Sequence, residues 1–144
     1  MKIFAASDLH LSLTAPYDCR FGKPLTSKPM NIFGEQWDDY IERLAANWRA
    51  LVGAEDAVLI AGDISWAMTP EEARHDFDFL AGLPGRKIIS RGNHDFWWKS
   101  ISRLREDLPA NIYPLQNDAI ELGGYAICAT RGWLLPENGD FRES

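Results

Sequence analysis

The residues of this chain best equipped for chemistry fall in three short stretches, "SDLH" (7–10), "GDIS" (62–65) and "GNHD" (92–95). Asp8 and His10 stand two apart, a spacing that in an extended segment turns both side chains the same way and lets them share an ion. Asp63 follows Gly62, where the backbone can turn sharply just before the carboxylate. The two oxygens of that carboxylate can bridge two cations, and Asn93 offers a neutral oxygen. Asp95, beside His94, is placed to accept an imidazole N–H, which fixes the tautomer and raises the basicity of the ring. Carboxylate, imidazole and amide oxygen together suit a borderline or hard divalent metal, and no thiolate is among them. Turn chemistry favours Asp, Asn and Gly at strand ends in any case. That accounts for Asp63 and Asn93, but not for two of only three histidines falling inside these stretches.

Each stretch follows an apolar run. "KIFAAS" (2–7), "DAVLIAGD" (56–63) and "RKIISRG" (86–92) read as buried strands. A first helix is expected from Gln36 to Val52, with Trp37, Ile41, Leu44, Ala45, Trp48, Leu51 and Val52 on one face. A second starts at Thr69 as N-cap, with Pro70 in its first turn, Glu72 as capping-box partner and a buried stripe of Ala73, Phe77, Leu80 and Ala81. A third covers Trp98 to Asp107. Alternating strands and helices imply an α/β fold of right-handed βαβ units on a parallel sheet, where ligands bind at the carboxyl ends of the strands. Asp8, His10, Asp63, Asn93, His94 and Asp95 would then meet on one rim. After Pro114, "DAIELGGYAICATRG" reads as a hairpin turned at "GG". Residues 14–34, with three prolines and two glycines, form a long loop as suited to a lid as to plain surface. His75 falls on the polar side of its helix and is expected to face solvent.

The chain has 144 residues, 46% hydrophobic and 25% charged, as expected of one globular domain. No apolar run is long enough to span a membrane. Asp8 and His10 interrupt the apolar N-terminus, which argues against a signal peptide and makes the cytoplasm the default. The net charge of -6 disfavours a nucleic-acid partner and fits a chain that gathers carboxylates around cations. Cys19 and Cys128 are isolated and read as reduced packing residues. Packing of helices onto the sheet is the simpler assignment for Trp66, Trp97, Trp98 and Trp133, although their rings could stack on a base or sugar. Arg91 and Arg131 read as surface residues.

The order D-x-H, G-D, G-N-H-D resembles the metallophosphoesterase, or calcineurin-like phosphoesterase, superfamily. "GDISWAM", "GNHDFWW" and "TRGW" are similar to a bacterial branch of predicted phosphohydrolases. The resemblance runs along nearly the whole chain and covers the N-terminal portion of the family's domain. It implies a four-layer α-β-β-α sandwich, of which this chain would hold the parallel βαβ units and a hairpin of the second sheet. It implies that Asp8 and His10 bind a first metal, Asp63 bridges two, and Asn93 binds the second and touches phosphate. His94 would donate a proton to the leaving oxygen or stabilise the transition state, with Asp95 orienting it. The family pattern continues with a later histidine and a final histidine pair. No histidine follows His94 here, which implies a single domain, 1–144, truncated at its C-terminus.

The expected function is hydrolysis of small phosphate mono- or diesters by a metal-bound hydroxide at a two-metal site. Mn is the first choice of metal, with Fe, Zn or Mg as alternatives. The rival expectation is a catalytically incompetent fragment that binds at most one metal.

Overall fold

A computed structural model describes residues 1–18 and 20–132. The three apolar runs form β1 (Ile3–Ala6), β2 (Ala57–Ile60) and β3 (Arg86–Ile89), and a fourth strand, β4 (Ile112–Pro114), joins them. They pair in parallel in the order β1-β2-β3-β4, with Ala6 opposite Ile60 and Ile60 opposite Ile89. The crossovers contain α1 (Tyr40–Leu51), α2 (Arg74–Ala81) and α3 (Ile101–Asp107). The hairpin follows as β5 (Asp118–Leu122) and β6 (Tyr125–Ala129), antiparallel to each other. Its turn, Gly123-Gly124, has φ of +59° and +83° at its two residues, and two positive values in succession are what a tight primed turn requires of glycine.

The parallel sheet is covered on both faces, as its continuous apolar strands demand. Val58, Ile60 and Ile89 join Ile41, Ala45 and Trp48 of α1, Phe77 and Leu80 of α2, and Leu104 of α3 in the main core. The alternate residues, Ala57 and Ile88, meet Leu115 and Leu122 in a smaller cluster that packs the hairpin onto the sheet. The result is the expected mixed α/β arrangement, a four-stranded parallel sheet followed by a small antiparallel one.

All three helices begin later than periodicity predicts. Asp39 adopts a left-handed backbone, φ +49°, which ends the preceding 3₁₀ turn (Glu35–Trp37) and delays α1 to Tyr40. Trp37 is thereby removed from the helix face. At α2 the capping bonds do form. Thr69 Oγ1 accepts from the Glu72 N–H at 3.3 Å, and the Glu72 carboxylate accepts from the Met68 N–H at 2.8 Å. The turn they close precedes the regular helix, which starts at Arg74. Trp97 and Trp98 lie in the turns after β3, and α3 starts behind Ser100, whose hydroxyl accepts from the Arg103 N–H.

Other expectations also change. Cys128 is an exposed free thiol rather than a packing residue, because it points away from the hairpin's apolar face. Cys19 and Trp133 lie outside the described residues. The 14–34 loop folds back on the β1 extension, with Thr14 N–H on the Leu25 carbonyl and Ser27 N–H on the Ser12 carbonyl. Among the described residues, no helix is long and apolar enough to cross a membrane.

Candidate metal centre

Pairing between the first two strands does not stop where the strands end. Asp8 N–H reaches the Gly62 carbonyl at 3.1 Å, His10 N–H the Asp63 carbonyl at 2.9 Å, and Leu11 N–H the Ile64 carbonyl at 2.9 Å. Keeping that register while the segments curl inward puts Asp8, His10 and Asp63 in the left-handed region, with φ of 56°, 46° and 51°. Such values are uncommon outside glycine and cluster at functional sites. The extended "DxH" geometry expected from the sequence is therefore replaced, although the two side chains still meet. The third loop comes equally close. A Cβ on Gly92 would lie 2.1 Å from Asp63 Oδ1, and one on Gly62 would lie 2.5 Å from Gly92 Cα. Only glycine at both positions lets the loops of β2 and β3 touch.

The outcome is one compact group. A ligand atom from each of Asp8, His10 and Asp63 lies within 4.8 Å of the other two. His10 Nε2 stands 3.8 Å from Asp8 Oδ1 and 3.9 Å from Asp63 Oδ2, beyond hydrogen-bond range. His10 and Asp63 are largely enclosed, and the Asp8 side chain is 60% exposed. Burial alone pushes the Asp63 carboxyl up. The hydrogen bonds from the His94 ring and backbone N–H, with the nearby His94 and His10 charges, outweigh it and hold the group below its ordinary range.

His94 turns Nδ1 to Asp63 Oδ2 at 2.8 Å, and its backbone N–H donates to Asp63 Oδ1 at 3.0 Å. Asn93 is exposed, with Nδ2 3.2 Å from His94 Nδ1. The structure corrects the expectation for Asp95. Its carboxylate does not hold the His94 ring. Oδ2 accepts from the backbone N–H groups of Asp63 and Gly92, and Oδ1 from those of Ile64 and Ser65 and from the Trp97 indole. Those donors occupy the fully buried carboxylate, so it fixes the loops around Asp63 instead.

Sequence reasoning missed four contributors. Asp76 is buried beneath the site. It accepts from the Leu13 N–H at 2.8 Å and the Ser65 hydroxyl at 2.5 Å, tying α2 to both the β1 and β2 loops. Burial pushes its carboxyl up to about 6. Its position on the stripe of Ala73, Phe77 and Leu80 was a visible signal, a carboxylate on a face that must be buried. Trp66 does not pack a helix onto the sheet as expected; its ring stacks on His10 with centroids 4.7 Å apart. Trp37 approaches His10 edge-on, and Tyr40 donates its hydroxyl to the His10 carbonyl at 2.9 Å. Trp97 and Trp98 are buried core residues, as expected. His75 is half-buried rather than solvent-facing and takes no part in the centre. Arg91 is half-buried too rather than a plain surface residue; burial and the Arg131 charge hold its pKa below the ordinary value.

Residues 1–141 match the family model for calcineurin-like phosphoesterases. The chain belongs to the calcineurin-like phosphoesterase family. It is 38% identical over 58 residues to the Gene 66 protein of Mycobacterium phage L5, a match covering 40% of this chain and 28% of that protein. A crystal structure of the protein of unknown function AQ665 from Aquifex aeolicus aligns with a TM-score of 0.46 at 22% identity, over 86% of this chain and 56% of that one. The matched region thus spans about a quarter of the phage protein and about half of the Aquifex protein.

Calcineurin-like phosphoesterases are metal-dependent phosphoric ester hydrolases, and the donors in this member fit a divalent cation. Two carboxylates and an imidazole present oxygen and nitrogen to one point, without thiolates. The gaps around His10 Nε2 are too long for hydrogen bonds, so this face of the ring is not spent on protein partners. From the third loop, His94 adjoins Asp63, and Asn93 stands beside the His94 ring.

Proposed function

We propose that this chain carries the metal site of a hydrolase of small phosphate mono- or diesters, working in the cytoplasm with two divalent cations, Mn first among them. The observation that supports it best is the convergence of Asp8, His10 and Asp63 at one point in a chain of this family. In this reading Asp8, His10 and Asp63 hold the first cation, and Asp63 and Asn93 reach the second. The bound cations supply Lewis acidity and an activated water. Asn93 touches the phosphate. His94 donates the proton that the leaving oxygen requires, from a ring held by Asp63 rather than Asp95. A cleft of about 570 Å³ beside Trp66, lined in part by Ser12, Lys28 and His75, has the size of a small-ligand site.

The test is calorimetric titration of Mn²⁺ with parallel assays on nitrophenyl phosphate mono- and diesters. His94→Ala is expected to bind Mn²⁺ within about threefold of the parent, being outside the ligand set, and to lose hydrolysis by at least about a hundredfold. Loss of the metal in that variant would move His94 among the ligands, and no saturable binding by the parent would sink the reading. A second reading is favoured by the ligand set, since among the described residues the one group of three donors, Asp8, His10 and Asp63, gathers for a single ion. In that reading the chain holds a single cation without hydrolysis, and a stoichiometry of one with no turnover decides for it.

A further inference from the structure

A histidine that ligates a metal ordinarily donates its second ring N–H to a carboxylate, a carbonyl or water, and that bond sets the orientation of the ring. His10 departs from this. Its Nδ1 is buried, and no hydrogen-bond partner reaches it among the described residues. The imidazole nevertheless holds Nε2 toward Asp8 and Asp63. What lies against the ring instead is Trp66, nearly parallel to it at 22° with centroids 4.7 Å apart. Trp66 is itself held at several points. Its backbone N–H bonds the Leu11 carbonyl at 2.9 Å, its indole N–H meets Met30 Sδ at 3.3 Å, and Lys28 Nζ sits over its ring, 4.8 Å from the centroid. A planar, polarisable ring anchored in this way restricts rotation of its stacked neighbour.

We propose that Trp66 is a positioning residue of the metal centre, whose indole, stacked on His10, sets the orientation of the imidazole that a hydrogen bond at Nδ1 would otherwise set. The inference rests on the metal-binding reading above and adds a residue to it. It also explains a local contrast. Asp63 and the partly exposed His94 are joined by hydrogen bonds, and Trp66 only tilts against the His94 ring with centroids 5.1 Å apart, whereas His10 is held by the stacked Trp66 face and by the Tyr40 bond to its carbonyl.

The test is Mn²⁺ calorimetry on the 144-residue chain and on Trp66→Phe, Trp66→Leu and Trp66→Ala, each checked for folding by circular dichroism. Losing a residue that orients a ligand typically costs about 10–100-fold in metal affinity, so that loss is expected for the Leu and Ala variants. The Phe variant, which restores an aromatic face, is expected within about threefold of the parent. If Trp66→Ala fails to fold, the Phe and Leu pair still decides, because the two side chains are similar in bulk and only one is aromatic. Equal affinity in those two variants overturns the proposal and leaves Trp66 a packing residue. Undiminished affinity in a folded Trp66→Ala overturns it as well. A parent chain without saturable binding removes both this proposal and the metal-binding reading, whereas binding by the parent that every variant matches removes this proposal alone.

Discussion

The two ends of the parallel sheet handle their polar groups in opposite ways. At the amino end the polar groups are paired into the fold. Lys87, fully buried, donates to the Leu83 and Gly85 carbonyls. Asp56 accepts from the Lys2 and Gly53 N–H groups. At the carboxyl end, three non-glycine residues take left-handed backbones, a buried ring nitrogen of His10 has no partner among the described residues, and Asp8 turns a largely exposed carboxylate toward His10. A buried polar group without a partner costs about 1–3 kcal/mol, and strained backbone persists only where its surroundings enforce it. The first end therefore illustrates what stability alone selects. The second is stabilised from below and behind, by Asp76 and Asp95, so that Asp8 and His10 can keep ligand atoms uncommitted, while each Asp63 oxygen keeps a lone pair beside its bond to His94.

That contrast breaks most completely at Asp95. Asp95→Ala leaves the N–H groups of Asp63, Ile64, Ser65 and Gly92 and the Trp97 indole without their acceptor. A stability loss of about 3–5 kcal/mol is expected from chemical denaturation, since each buried N–H donor left without an acceptor costs about 1–3 kcal/mol and water can reach some of them. A loss under about 1 kcal/mol would mean that water or a neighbouring group replaces the carboxylate.

The next effect separates supports from ligands. Asp63→Ala should abolish Mn²⁺ binding, a loss of about 2.7 kcal/mol or more, equivalent to at least a hundredfold. Asn93→Ala should weaken it by about tenfold or less, as for a residue serving one ion. Equal affinities in the two variants would remove the bridging role assigned to Asp63.

The smallest effect concerns Asp76. Burial pushes its carboxyl from 3.8 up to about 6, so the folded chain keeps a proton that the unfolded chain releases. This contribution to stability is full below pH 3.8 and is lost as pH rises through 6. The parent, measured against Asp76→Asn, should lose about 2–3 kcal/mol between about pH 4 and pH 7. Paired denaturation curves whose difference does not move with pH would show that the Ser65 and Leu13 bonds hold the ionised form without penalty.

Much of this was legible in the chain itself. β1 to β3, the glycine hairpin and the capping bonds at Thr69 and Glu72 follow from patterns a few residues long. The helix starts were misread because a single left-handed residue, Asp39, and the turns holding Trp97 and Trp98 override an otherwise helical periodicity. Asp95 was misassigned because adjacency to His94 says nothing about the N–H groups of Asp63, Ile64 and Ser65, about thirty positions away, that converge on its carboxylate.

By itself the sequence determined which groups stand at the ends of the strands, and hence the chemistry available there: Asp8, His10, Asp63, Asn93 and His94, each a short step beyond an apolar run that must be buried. Tertiary structure alone decided how they are held. The left-handed turns arise from pairing that continues past the strands. Asp63, not Asp95, meets the His94 ring, and Trp66, not a hydrogen bond, lies against His10. These are contacts between segments 31 and 56 residues apart. Burial and close packing choose such partners only once the whole sheet has formed, and no local periodicity encodes them.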